Sequence, residues 1–260
     1  MRMDLDAVRA LLDRQLRRAA PPDSAAAQVE RTGGVVRQTG GPTDWNGILW
    51  SELTEATADA AIAAQVRHFA AMDREFEWTV YAHDRPADLA ARLRAAGFQP
   101  EPAETLMVAE VAGLPKEVEL PPDVRLLPVT DPAGVELLVR VHEEVFGAPG
   151  GRLRDRLLAR LAADPDALAL TVVMAADEPV SGARLEWVPG TDFAGLWGGG
   201  TLSAWRGRGI YRALIAHRAR LAAERGVRYL RVDASDQSRP ILRRLGFAEL
   251  STATPYLHRP

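Results

Sequence analysis

Arg206-Gly207-Arg208-Gly209-Ile210-Tyr211 is a glycine-rich turn that opens a helical run in this 260-residue chain. Such a turn exposes several backbone N–H groups in one concave cradle. Those donors and the positive end of the helix dipole suit a phosphate or pyrophosphate. Gly207 and Gly209 permit a positive φ and let a ligand approach without striking a Cβ. Arg206 and Arg208 add fixed positive charge. An arginine-rich surface turn has the same composition, so the flanks must decide.

Upstream, Phe193 to Leu202 (FAGLWGGGTL) reads as an apolar, glycine-relaxed strand anchored by Trp197. Downstream, Tyr211, Leu214, Ile215, Leu221 and Ala222 recur at helical spacing, and Gly226 stops the helix. Tyr229 to Val232 is a short strand. Strand, loop, helix and strand make a βαβ unit with an expected right-handed crossover. The cradle then sits at the carboxyl end of a strand, where open α/β sheets bind ligands. A second helix starts near Ser238, with Pro240 in its first turn, and ends at Leu245-Gly246-Phe247. Glu249 to Leu257 is the last strand segment.

Arg206-x-x-Gly209, the strand YLRVDAS and Ile241-Leu242-Arg243-Arg244-Leu245-Gly246-Phe247 together resemble the GCN5-related N-acetyltransferase (GNAT) family. That family carries an acetyl-CoA signature, Q/R-x-x-G-x-G/A, on the loop after its fourth strand. The resemblance spans residues from about 122 to 260. It implies acetyl-CoA as co-substrate, no metal, and transfer of an acetyl group to an amine of a small molecule or peptide. By the same resemblance Thr201, Leu202 and Ser203 end the strand whose backbone polarises the thioester, with Thr201 and Leu202 along the pantetheine and acetyl group. Arg206, Gly207, Arg208, Gly209, Ile210 and Tyr211 hold the pyrophosphate. Ser235, where the family often has asparagine, and Ser238 complete the implied cofactor set. Three departures stand out, the first being that the asparagine that often meets the pantetheine arm becomes serine or aspartate in Ser235-Asp236. Tyr211 replaces the last small residue of the signature. Leu242 replaces the tyrosine that often protonates the leaving thiolate, which leaves water, Tyr256 or the product ammonium.

A dinucleotide-binding fold competes for the same loop, with Gly207 and Gly209 as its first glycines and Asp233 as its ribose acid. Arg212 stands where the third glycine belongs, and 27 residues after Asp233 are too few to finish a doubly wound sheet.

Acetyl transfer needs a neutral amine, and deprotonating an alkylammonium at pH 7 costs about 4 kcal/mol. Glu186, between Leu185 and Trp187 in the strand Ser181 to Val188, is the candidate catalytic base, with a carboxyl raised by apolar neighbours. An outward-facing Glu186 is the alternative. His142, Glu143 and Glu144, before the turn GAPGG, either meet a cationic amine or form a solvated helix end. His217, among arginines in mid-helix, reads as a surface residue. Binding of acetyl-CoA without turnover, as a regulatory module, is a second functional reading, supported by the missing tyrosine; a purely structural or interaction protein whose loop binds nothing is the third.

Composition sets outer bounds. A 47% hydrophobic chain of this length can bury a substantial core. Without cysteine there is neither disulfide framework nor thiolate nucleophile. The start MRMDLDAVRA lacks an apolar stretch, and the longest near-apolar run, Ala167 to Ala176, is too short to span a bilayer. The expectation is a cytoplasmic protein with no membrane partner. A net charge of −3 argues against nucleic-acid binding. Lys116 is the only lysine, so none is available near the cradle. A homodimer is left open.

The proline-rich segment Gly113 to Asp123 reads as a linker. It divides residues 1–113 from a domain at 123–260, with 114–122 between them. Leu93-Arg94-Ala95-Ala96-Gly97-Phe98 echoes Leu242-Arg243-Arg244-Leu245-Gly246-Phe247 at an offset of 149 positions. Gly47 to Leu53 and Phe76 to Tyr81 read as strands and Thr57 to Met72 as a helix. Asp84 is the expected cap of the next helix, with Pro86 near its start. Residues 4–19 form an amphipathic helix. The fold class is α/β (α+β): two GNAT-like domains, each a mixed, mostly antiparallel sheet flanked by helices. The first lacks the chemistry, because Thr57 to Ile62 offers neither glycine nor arginine in place of the cradle.

Overall fold

A computed structural model describes residues 3–41, 44–117 and 119–260. Its N-terminal elements are α1 (Leu5–Leu12), β1 (Gln28–Thr32), β2 (Val35–Thr39), β3 (Gly47–Ser51), α2 (Ala58–Ala70), β4 (Phe76–Tyr81), α3 (Leu89–Ala95), β5 (Gln99–Pro100) and β6 (Glu104–Glu110). There follow β7 (Val124–Val129), α4 (Pro132–Phe146), α5 (Gly151–Ala163), β8 (Leu168–Ala175), β9 (Glu178–Trp187), β10 (Phe193–Thr201), α6 (Ile210–Glu224), β11 (Tyr229–Ala234), α7 (Arg239–Arg244) and β12 (Ala248–His258). No helix among the described residues is long and apolar enough to cross a membrane.

The chain forms two compact units. One comprises Met1–Met107, Asp233–Pro240 and Glu249–Pro260, the other Val108–Val232 and Ile241–Ala248. In the first, β1, β2 and β3 pair antiparallel and β3 pairs parallel to β4 through Gly47↔Glu77 and Ile48↔Trp78. The last strand, β12, runs antiparallel to β4 from Ala253↔Tyr81 to His258↔Phe76. Ile62, Phe69, Phe76, Trp78, Leu89, Leu93, Phe98 and Tyr256 fill its core. Val8 and Leu12, the apolar stripe of α1, are buried.

Asp84 does not cap a helix. Its carboxylate accepts from Arg17 Nη1 at 3.0 Å and Nη2 at 2.8 Å and from the Tyr81 N–H, and α3 starts later, at Leu89. A carboxylate this deep needs a guanidinium partner more than a short helix needs a cap.

In the second unit β7, β8, β9 and β10 form an antiparallel run, and β10 turns parallel to β11. α4 is framed as its sequence dictates: Asp131 caps Gly134 N–H at 2.8 Å, Pro132 opens it, and Gly147 ends it at φ 66°. Successive residues of β10 identify the two faces. A Cβ at Gly200 would meet Val145 of α4, and one at Gly199 would meet Tyr211 of α6. The helices therefore sandwich β9 and β10.

The echo between the two halves is structural. Phe98 N–H donates to Leu93 O at 3.1 Å and Phe247 N–H to Leu242 O at 3.0 Å. Gly97 N–H donates to Arg94 O and Gly246 N–H to Arg243 O, at 3.0 and 3.1 Å. The two glycines share φ values of 95° and 99°. Each motif ends a helix in a left-handed turn that only glycine adopts without strain.

Candidate active site

β10 and β11 pair at Phe193↔Tyr229, Ala194↔Leu230 and Gly195↔Arg231. Beyond Gly195, β10 runs on to Thr201 held by β9 alone among the described residues of its unit. Its ladder with β9 shifts between Trp197 and Gly200, where Gly198 takes φ 55°. The parallel pairing thus ends at Gly195, ahead of the glycine-rich loop.

The loop then delivers a helix start. A 3₁₀ turn, Ser203–Trp205, leads into Gly207 and Gly209, at φ 76° and 82°. Gly209 is the N-cap of α6 and brings no side chain to cap it. The first helical bond is Ala213 N–H to Gly209 O at 2.9 Å, so the amides of residues 209–212 precede the ladder. A Cβ at Gly207 would meet nothing within 4 Å. The arrangement suits an anion.

Around it, Ile210 is buried and pins the helix start, while Arg206, Gly207 and Arg208 are exposed. Arg206 Nε donates to Thr201 O at 3.0 Å, and the Arg208 guanidinium lies 4.5 Å from the Trp205 ring centre. The Thr201 hydroxyl lies 2.8 Å from that of Ser181, and Leu202 N–H donates to Val180 O. Ser203 is exposed and Leu202 half-buried. The bulk of Tyr211 does not fill the cradle, because its ring turns onto β10, 3.2 Å from where a Gly199 Cβ would stand. Thr201 to Tyr211 are contiguous, running from the end of β10 through the loop into the first turn of α6. Ser235 and Ser238 belong to the other unit, their hydroxyls 3.3 Å apart in the turn before α7.

Glu186 is buried, as an inward-facing residue should be, but its carboxyl is not raised. Arg160 Nη1 donates to Oε2 at 2.6 Å, and Arg184 Nε stands 3.5 Å from Oε1. Burial alone would push the carboxyl up; the charges of Arg160, Arg184 and Arg156 outweigh it and hold Glu186 below the usual carboxylate range. Leu185 and Trp187 flank Glu186 in sequence, but its partners come from the alternate position 184 and from α5. Arg184, two positions before Glu186 on the same strand face, is the signal in the sequence for this pairing.

His217 is not a surface residue. It is only 8% exposed, because α6 packs against β9, β10 and the 3₁₀ turn Val111–Gly113. Burial, then Arg220 and Arg218, push its imidazole down to about 4. Glu143 is no loose helix end, since its Oε1 accepts from Gly150 N–H at 2.8 Å. His142 is half-buried and its ring is lowered by burial and by Arg184. Tyr256 lies in the core of the other unit, with its hydroxyl 3.1 Å from Arg94 Nη2. Leu242 is fully buried.

The corresponding turn of the first half is closed on itself. Thr57 and Ala58 N–H both donate to Thr54 O, Thr54 N–H donates to Thr57 Oγ1, and Asp59 pairs with Arg92 at 2.9 Å. Two of the donors that would face a phosphate, the Thr57 and Ala58 N–H, are satisfied locally, and Asp59 adds negative charge beside them.

Residues 135–247 match the model of the acetyltransferase (GNAT) family. A GCN5-related N-acetyltransferase from Kribbella flavida superposes over 98% of this chain and 95% of its own, with TM-score 0.71 at 18% identity. A functionally unknown conserved protein from Staphylococcus epidermidis covers 91% of this chain and 96% of its own, with TM-score 0.67 at 17% identity. A tandem GNAT protein from the clavulanic acid biosynthesis pathway covers 99% of this chain and 88% of its own, with TM-score 0.61 at 16% identity. No curated protein matches the sequence significantly. At these identities the structures share the fold. The chain is thus similar to the GNAT acetyltransferases in fold over nearly its whole length and in sequence over residues 135–247.

Proposed function

We propose that residues 123–260 form an N-acetyltransferase domain that moves the acetyl group of acetyl-CoA to an amine of a small molecule or peptide. Residues 1–113 are then a degenerate GNAT-like domain that holds no cofactor, and 114–122 the linker. The observation that carries this reading is the divergence of β10 from β11 just ahead of the open first turn of α6. Amides from Arg206 to Tyr211 would hold the pyrophosphate, with Arg206 and Arg208 adding charge. The β10 edge from Leu196 to Leu202 would align the pantetheine arm and polarise the thioester carbonyl. Ser235 and Ser238 stay in the proposed cofactor set.

In the reaction the amine nitrogen bonds the acetyl carbon, the carbon–sulfur bond breaks, the amine loses a proton and the thiolate gains one. Glu186 remains the candidate acceptor of the amine proton. Held anionic by arginines, it is a weak base and supplies only a small part of the roughly 4 kcal/mol needed. Because the chain has no cysteine, a thiol reagent reads released CoA without background. Amine-dependent CoA release is the expected result. Acetyl-CoA binding with no release from any primary amine would instead favour the regulatory reading, which the buried Leu242 in the tyrosine's place also suits.

A further inference from the structure

Arg184 stands opposite Trp197 in the β9–β10 ladder, just past Gly195↔Arg231, where β10 leaves β11. It is 8% exposed, and its Nε has no hydrogen-bond partner among the described residues. Its nearest carboxylate oxygen, Glu186 Oε1, is 3.5 Å away, while Oε2 is taken by Arg160 at 2.6 Å. Arg156, one turn before Arg160 on α5, adds a further positive field at Arg184. Three guanidinium groups thus share one carboxylate. Burial and the two neighbouring cations push Arg184 down to about 10 against the pull of Glu186, so it remains charged at neutral pH.

The guanidinium borders the notch at Gly198. A Cβ there would find only Arg184 Cζ at 3.8 Å and Nη1 at 3.9 Å within 4 Å. An excess buried cation is unfavourable unless an anion meets it, and a guanidinium fork matches carboxylate and phosphate oxygens. His142, lowered by burial and by Arg184 itself, adds no opposing charge at neutral pH. Resting on the acetyltransferase reading, we propose that the acceptor is a small primary amine bearing its own carboxylate or phosphate, and that Arg184 binds that anionic group beside the parting strands. Peptide amines without a nearby anion would be poor acceptors. The competing role for Arg184 is a purely structural clamp on Glu186.

Calorimetric titration of β-alanine, O-phosphoethanolamine and propylamine into wild type, Arg184→Gln and Arg184→Lys separates these. Wild type is expected to bind at least one anionic amine about tenfold or more tighter than propylamine. The two anionic probes distinguish carboxylate from phosphate. Arg184→Gln should erase the preference, and Arg184→Lys should restore part of it. Equal binding of all three amines, or a preference that survives Arg184→Gln, overturns the proposal. Arg184→Gln should melt at or above the wild-type temperature, because the Arg160–Glu186 pair stays intact and an excess buried charge is gone; a marked fall would reveal the structural clamp and overturn it too. Acetyl-CoA affinity should be the same in all three proteins. If acetyl-CoA fails to bind wild type while the Arg184-dependent preference persists, the acetyl-transfer reading falls and the anion site stands.

Discussion

Gly207 and Gly209 show what a single residue contributes here. Both sit at positive φ, and the space off Gly207 is open. Gly207→Val should therefore leave the fold intact at a cost of about 1–2 kcal/mol, while its side chain intrudes on the cradle. Acetyl-CoA affinity should fall by about tenfold or more, read by calorimetry alongside a urea melt. His217 supplies a pH signature. Its folded value near 4 lies below the ordinary 6.5, so its stabilising contribution is complete above 6.5 and is lost as pH falls from 6.5 toward 4. Between about pH 7 and pH 5 wild type should lose about 1–2 kcal/mol more stability than His217→Leu in urea titrations. An identical pH dependence of the two proteins would show that the imidazole is hydrated. Glu186→Gln should lower kcat/KM by less than about tenfold, whereas a principal base would cost about a hundredfold or more.

The elements were legible where pattern and punctuation agree. β10, α6 and β11 follow from an apolar run, a 3.6-residue period and the glycines at 209 and 226. The two LRxxGF helix ends were equally readable, because a left-handed turn demands glycine whatever surrounds it. Gly97→Ala and Gly246→Ala should each cost about 1–2 kcal/mol in denaturant titrations, with closely matched values if the two turns are equivalent. What pattern could not give was the pairing across elements. Asp84 resembles a cap in sequence, yet Arg17, 67 positions away, claims it. Glu186 resembles an apolar-flanked base, yet α5 brings Arg160 to it. The burial of His217 escaped for the same reason: the second face of α6 is covered by a turn from a remote part of the chain. Charge partners come from tertiary structure, and a local window does not contain them.

At the scale of the molecule, the two units are not consecutive in sequence. Residues 249–260 close the first unit, where β12 pairs with β4 along its length. A division at the proline-rich linker follows composition and has no means of anticipating that return. A fragment of residues 1–113 lacks this strand and should be largely unfolded by circular dichroism, because the edge of β4 and the pocket for Tyr256 are left open. A fragment melting cooperatively would show that the first half folds alone. The site itself was legible in one part only. The cradle is built from main chain and glycine, which the sequence encodes directly, whereas the arginines around Glu186 are assembled by packing.

The most direct test is the stoichiometry of acetyl-CoA binding to the intact chain, measured calorimetrically. One molecule should bind per chain, because the turn after β10 is open and the turn after β3 is closed by Thr54 and Thr57. Two molecules per chain, or none, would contradict it.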